Sequence, residues 1–176
     1  MIRFLRILAL LFVAITYVTL TGCATPANPQ AMIVNPDASI APNEKLKGMF
    51  AIGSIIGGQD TNPLWTSQVD NKSFGEALRG TLAAFGYLAS DPASAKHRID
   101  ANLMSLAQPL FGLTFDVQSN VQYVVITGDS KKEYLVSASG VATFSDSALA
   151  IERLRIANEK SIKENITQFL RRLISP

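Results

Sequence analysis

The strongest pattern in the chain is an alternation of apolar and polar residues over positions 113–126. A period of two predicts a β-strand with one face against a core and the other in water. Residues 128–132 begin with glycine and predict a hairpin turn, because the alternation resumes in a return strand over 134–144. The apolar side of the first strand consists of Leu113, Phe115, Val117, Val121, Tyr123 and Val125. The centre of the chain is therefore expected to form an antiparallel hairpin.

A strand and a helix are predicted before this hairpin. Residues 48–56 are mostly apolar and are followed by Gly57 and Gly58, which indicates a buried strand and then a turn. Asn71 stands where a helix N-cap is expected, apolar residues follow at helical spacing, and Gly86 is placed to end the helix. A bare pair of glycines more often permits a turn than cradles a phosphate, so the turn is the preferred interpretation.

A further strand and a long final helix complete the predicted elements. Over 98–106 the apolar side changes from one face to the other, which indicates a strand with a bulge. After the return strand, Ser145 or Asp146 is expected to cap a helix that runs to the end of the chain. On that helix, Glu159 and Lys163 are spaced for a favourable i,i+4 ion pair.

The predicted order of elements is β-α-β-β-β-α, which defines an α+β fold. Its sheet is expected to be mostly antiparallel, with both helices packed on one face. The first strand and the strand after the first helix can pair in parallel through a right-handed crossover. Residues 47–176 have the length of a single domain.

The first 22 residues have the pattern of a cleaved signal peptide. Arg3 and Arg6 precede an apolar run over 7–18, which is shorter than the roughly 20 residues that a membrane-spanning helix needs. The run ends in the sequence LTGC, which resembles the lipobox of bacterial lipoproteins. That resemblance implies cleavage between Gly22 and Cys23, with a diacylglyceryl group on the Cys23 thiol. The alternatives are an ordinary secretory signal beside an incidental cysteine, or an uncleaved membrane helix.

Two further features of the sequence bear on location and partners. Arg3 and Arg6 account for the whole formal charge of +2, so the rest of the chain is neutral. Because a nucleic-acid-binding domain needs a basic patch, no nucleic-acid partner is expected. Ala24, rather than aspartate, follows Cys23, and the resemblance to lipoproteins sorted in enteric bacteria then implies the outer membrane, with the domain facing the periplasm.

Residues 23–46 are predicted to form a flexible tether. The segment contains four prolines among Asn, Ala and Ser, and it has no sustained hydrophobic period. About 20 such residues, treated as a flexible coil, span roughly 25 Å. A tether of that length would hold the domain clear of the lipid head groups. The alternative for part of this segment is an edge strand over 32–34.

Four stretches of the chain resemble a group of small proteobacterial lipoproteins. They are the sequence GGQDTNPLWTSQ over 57–68, the FxxAL pattern at 74–78, the turn at 108–112, and the sequence ERLRIANE over 152–159. The order of elements is also similar to that of auxiliary lipoproteins of envelope transport and of the lipoprotein that plugs the lipopolysaccharide-assembly barrel. Some relatives carry an acyltransferase name, but the six-residue repeat of a left-handed β-helix acyltransferase is missing from this sequence.

Three apolar residues are candidates for partner binding. Trp65 lies in the loop before the first helix, where it either fills the edge of the core or contacts a partner, and the core edge is the preferred interpretation. Leu110 and Phe111 lie in the turn over 108–112, which either buries the phenylalanine or offers an apolar loop tip to a partner or to lipid. The sequence leaves these two alternatives open.

No catalytic or metal-binding set is recognised, and no cofactor is expected. His97 is the only histidine, and the only cysteine, Cys23, is the predicted lipidation site. One chain is therefore not expected to build a catalytic Cys/His pair or a His-based metal cluster. His97 is interpreted as a surface residue. Asp100 lies close to it in sequence, but no serine stands in a nucleophile-elbow context.

These observations favour a non-enzymatic lipoprotein that serves as an accessory or binding component of outer-membrane assembly or envelope transport. One alternative is an enzyme acting on envelope lipid or glycan, for which a deep pocket with perturbed pKa values is expected. Another is a structural, self-associating lipoprotein, for which a large apolar surface patch is expected.

Overall fold

The computed structural model describes residues 24–37 and 39–175. Seven helices and strands are labelled here, and two short 3₁₀ turns, Glu44–Leu46 and Pro92–Ser94, lie between them. The predicted signal peptide and Cys23 lie outside the described residues. In chain order, the elements are α1 (Pro29–Met32), β1 (Phe50–Ile56), α2 (Asn71–Ala84), β2 (His97–Ala107), β3 (Phe115–Thr127), β4 (Ser130–Ala142) and α3 (Ala150–Ile174).

The strands form one sheet in the order β1-β2-β3-β4. β1 and β2 are parallel, while β2, β3 and β4 pair antiparallel, so the predicted α+β fold and its mixed pairing are confirmed. The register of β2 against β3 shifts between Leu103 and Ser105, where the sequence predicts a bulge. Thr127 pairs with Ser130, so the hairpin loop consists of Gly128 and Asp129 alone, and Gly128 supplies a φ of 55°.

Helices α2 and α3 pack against the same face of the sheet. The main core joins inward side chains of the sheet to both helices, and it includes the stacked rings of Tyr123 and Phe169, whose centroids are 4.0 Å apart. The opposite face is uncovered among the described residues and is largely polar on β3 and β4. It carries Gln118, Asn120, Gln122, Ser137 and Ser139.

The two long helices begin differently from the sequence prediction. Asp70, rather than Asn71, caps α2, since its carboxylate accepts a hydrogen bond from the Ser73 amide at 2.6 Å. The expected cap of α3 at Ser145 or Asp146 is wrong, because the helix starts at Ala150 without a side-chain cap. Asp146 instead closes the preceding turn by accepting from the amide of Thr143 at 2.8 Å.

Glu159 has a different partner from the predicted Lys163. Its carboxylate pairs with Arg155, one turn earlier on α3, and also accepts a hydrogen bond from the backbone N–H of Asn28 at 2.7 Å. Burial raises the pKa of Glu159, and the Asn28 and Arg155 contacts oppose that rise. The residue thus ties α3 to the segment that precedes β1.

That segment, predicted as a flexible tether, is instead part of the folded domain, so the prediction is wrong for the described residues after Cys23. It carries the short helix α1 in place of the alternative edge strand, and its apolar side chains join the main core. The buried amide of Val34 donates to Thr81 Oγ1 of α2 at 3.0 Å, and the amide of Asn43 donates to the Tyr87 hydroxyl. The core residues of the segment are Ala27, Met32, Val34 and Ile40.

The reason lies in the surface that α2 and α3 leave between them. A Cβ added to Gly80 of α2 would lie 2.5 Å from Ile33 Cδ1, so the segment approaches the backbone of α2 closely. We name residues 24–46 the strap, because its described residues, 24–37 and 39–46, contact both helices and lead to β1. None of the helices in the described part of the chain is both long enough and apolar enough to cross a membrane.

Candidate interaction surface

Three loops lie at the same end of the sheet. The loop over 108–114 follows β2 and precedes β3, and the loop over 143–149 follows β4, whose last residue Ala142 pairs with Phe115 at the start of β3. Because β1 runs parallel to β2, the loop over 57–70 leaves the sheet toward this end as well. The β3–β4 hairpin lies at the opposite end.

These loops carry a concentration of exposed apolar side chains. Among the described residues, seven of the eleven exposed large hydrophobic residues lie in the three loops, and none lies at the hairpin end. The other four are on the strands. We call this set the apolar end, and its members are Leu64, Trp65, Leu110, Phe111, Leu113, Phe144 and Leu149.

The three candidate residues of the sequence analysis all belong to the apolar end. Trp65 is 77% exposed, so the preferred interpretation of a core-edge residue is wrong. Leu110 and Phe111 are 86% and 88% exposed, which decides between the two open alternatives in favour of an apolar loop tip. Leu113 was expected in the core, but β3 begins only at Phe115. Gly112, with a φ of 146°, turns the chain just before it.

Gln108 holds two of these loops together. Its side-chain oxygen accepts a hydrogen bond from Thr66 Oγ1 at 2.9 Å, and its amide nitrogen donates to the carbonyl of Ser67 at 2.9 Å. The same nitrogen lies 2.9 Å from Asn158 Oδ1 on α3. Buried Asn158 in turn donates to the Ser67 carbonyl at 2.9 Å. Trp65 and Phe111 therefore project from loops that are fixed to one another and to the core.

The chain enters the described structure at this same end. Ala24 is buried, and its backbone N–H donates to the carbonyl of Pro63 at 2.8 Å. Ser67 Oγ donates to the carbonyl of Thr25 at 2.7 Å, and the amide of Ala27 donates to the carbonyl of Gln68. The strap thus begins beside the loop that carries Trp65.

The apolar end has no basic residue in any of its three loops. The loop over 108–114 has no charged residue at all, and the acidic residues of the other loops are engaged in part by the fold. Asp70 caps α2, and Asp146 accepts a hydrogen bond from Lys160 at 2.7 Å, which lowers the Asp146 pKa together with the Thr143 amide. Buried Arg153 lies 5.6 Å from the Phe144 ring centroid and donates to backbone carbonyls.

The residues considered for catalysis are separated. His97 lies near the hairpin end, where Nδ1 is 2.6 Å from Thr127 Oγ1 and the ring packs 5.0 Å from that of Phe50. Burial and the neighbouring Lys96 lower the His97 pKa. Asp100 instead binds the Ser54 amide and Arg98, in a groove of about 240 Å³ on the open face of the sheet.

The glycine pair after β1 forms the predicted turn. Gly57 has a φ of 84°, which favours glycine, and a Cβ there would lie 2.3 Å from the Leu103 carbonyl oxygen. Gly58 donates its amide to Asn71 Oδ1 at 2.7 Å. The pair therefore positions the loop over 57–70 against β2 and α2.

Sequence reasoning missed Leu64, Phe144 and Leu149 as surface residues. Phe144 continued the alternation of the return strand, but β4 ends at Ala142. The predicted topology could have indicated a shared surface, since an antiparallel β2–β3–β4 meander places the loops before β3 and after β4 at one end of the sheet.

Comparison with known proteins leaves the family open. No protein-family profile matches the sequence, and no curated protein matches it. Among solved structures, a hypothetical protein of Chlamydia trachomatis aligns with a TM-score of 0.46 at 12% identity, over 73% of this chain and 94% of its own. A proposed lipoprotein of Caulobacter crescentus CB15 aligns with a TM-score of 0.42 at 13% identity, over 69% of this chain and 86% of its own. Similarity at this level assigns no function to the chain.

Proposed function

We propose that this chain is a lipid-anchored cell-envelope protein that carries its lipid on Cys23. The observation that carries the proposal is the sequence LTGC after a short apolar run that two arginines precede. Each buried CH₂ of an acyl chain contributes about 0.8 kcal/mol to membrane binding, so two or three chains give a long-lived attachment.

The proposed location is the outer membrane, with the domain in the periplasm. Support for this step is Ala24 at the position after the cysteine, where the inner-membrane retention signal of enteric bacteria has aspartate. The proposed role is that of a non-enzymatic accessory or binding component of outer-membrane assembly or envelope transport. The open polar face of the sheet offers a surface for such a partner, because it lies away from both helices.

The anchor is tested by expressing the full chain and its Cys23→Ala variant in a Gram-negative host. We expect the wild type in the outer-membrane fraction, with an N-terminal peptide whose mass corresponds to an acylated diacylglyceryl-cysteine. The variant should lack that mass and keep its signal peptide. A wild-type N-terminus without lipid would contradict the anchor, and lipidated protein confined to the inner membrane would contradict only the location.

The accessory role is tested by crosslinking the same cells and purifying the protein from solubilised membranes. Copurification of an outer-membrane barrel or of transport components with the wild type, but not with Cys23→Ala, is the expected result. If repeated purifications yield the protein alone, the accessory role is wrong even where the anchor is intact.

A further inference from the structure

The residue after the proposed anchor, Ala24, lies at the apolar end of the domain. Ala24 is one peptide bond from Cys23, and consecutive Cα atoms lie about 3.8 Å apart. The Ala24 amide is hydrogen-bonded to the carbonyl of Pro63, so the residue that follows the proposed lipidation site lies beside the loop that carries Leu64 and Trp65. A flexible tether would have allowed a separation of roughly 25 Å between lipid and domain.

We propose that the apolar end is a second membrane-binding element, which enters the boundary between the head groups and acyl chains of the bilayer that carries the anchor. This inference rests on the proposed lipidation of Cys23. The bilayer is chosen as the occupant because the anchor brings it to this surface. Seven exposed apolar side chains next to a membrane have a lower free energy inside the bilayer than in the water beside it.

The composition of the apolar end matches the interfacial region of a membrane. Trp65 combines a large apolar ring with an N–H donor, and tryptophan is enriched at the level of the head groups. Phe111 and Leu110 occupy a loop tip without charged residues, so their insertion carries no cost of burying a charge. Gln108 connects its own loop to the loop over 57–70, which means that Trp65 and Phe111 enter as parts of one preorganised surface.

The charge of these loops also defines the lipid specificity. Since none of the three loops contains Lys or Arg, attraction to anionic head groups is not part of the binding. We therefore expect insertion into zwitterionic bilayers and little change with ionic strength.

Trp65 is the only tryptophan of the protein, so its fluorescence reports on this surface without a label. The experiment uses the purified lipidated protein in phosphatidylcholine vesicles at low and high salt. One vesicle set contains lipids brominated on the acyl chains, and flotation confirms attachment. Insertion predicts a blue-shifted emission in vesicles, protection from acrylamide, and a loss of intensity to the bromines, because a ring at the head-group boundary lies near the acyl chains.

A matched pair of variants distinguishes insertion from mere proximity. The double variant Leu110→Ser, Phe111→Ser removes the neighbouring loop tip and should restore most of the Trp65 intensity in brominated vesicles. Leu135→Ser alters a residue that is 62% exposed on β4, away from the apolar end, and should leave the quenching as in the wild type.

The possible outcomes separate the anchor from the inserted surface. Protein that fails to float with vesicles contradicts the anchor, and the present inference with it. Protein that floats while Trp65 remains open to acrylamide and unquenched by bromine contradicts the insertion alone. Shielding of Trp65 only in native membranes would assign the apolar end to a protein partner, and shielding that grows with the protein-to-lipid ratio would assign it to a second copy. Either result overturns the proposal.

Discussion

Replacing Met32 by alanine tests whether the strap is part of the folded domain. Met32 is fully buried at the end of α1, within the core that α2 and α3 build on the sheet. Truncation of a buried methionine removes its transfer free energy and leaves a cavity, at a cost of about 2–5 kcal/mol. We expect the free energy of unfolding to fall by about 3 kcal/mol, because Met32 is fully buried and its truncation leaves a cavity that is closed to solvent.

The assay is urea unfolding of the chain over residues 24–176. For a domain of this size the denaturant slope is about 2 kcal/mol per molar urea, so the midpoint should fall by about 1.5 M. Met104→Ala is the matched control, since Met104 is 59% exposed on β2 and its truncation should change stability by less than about 0.5 kcal/mol. If the two variants unfold at the same midpoint, residues 24–46 are a tether after all and the packing of the strap is refuted.

Two further predictions concern glycines and a buried carboxylate. Gly140→Ala should destabilise the domain by about 2–3 kcal/mol in urea unfolding, because the new Cβ would lie 2.1 Å from the Ser161 amide nitrogen and force α3 away from β4. Gly75→Ala, inside α2 with ordinary contacts, should instead stabilise it by about 0.5–1 kcal/mol, and equal effects would contradict both assignments. Because burial raises the pKa of Glu159 above 4.5, the stability that this group contributes is present below pH 4.5 and is lost as the pH rises through the raised value. Glu159→Gln should therefore gain stability relative to the wild type as the pH rises from 4.5 to neutral. The free energy of unfolding of both proteins is measured at each pH, and a difference between them that does not change with pH would contradict this reasoning.

The position of the strap also has a consequence for orientation. β3 has thirteen residues, which extend about 40 Å at the usual rise per residue. Under the proposed insertion of the apolar end, the strands would project away from the bilayer and the Gly128 hairpin would be the part of the sheet most distant from it.

Local patterns of the sequence determined most of the secondary structure. The alternation over 113–126 and the glycine at 128 specify the β3–β4 hairpin, because a strand with one buried face needs that period and a two-residue turn needs a positive φ. The change of apolar side within 98–106 likewise predicted the bulge of β2. Helix α2 was predicted to end before Gly86, and its N-cap differs from the prediction by one residue, Asp70 in place of Asn71.

Tertiary structure alone decided the location of the strap and of the apolar end. A segment rich in proline has no period that reveals burial, and Met32 is buried only because two distant helices leave a groove for it. The exposure of Trp65 and Phe111 was equally hidden, since large apolar residues normally indicate a core. The sequence alone predicts lipidation at Cys23, but only the structure shows that Ala24 lies beside the loop of Trp65, where its amide is hydrogen-bonded to the carbonyl of Pro63. Contacts between residues so far apart in the chain leave no trace in local composition, and only the folded structure shows them.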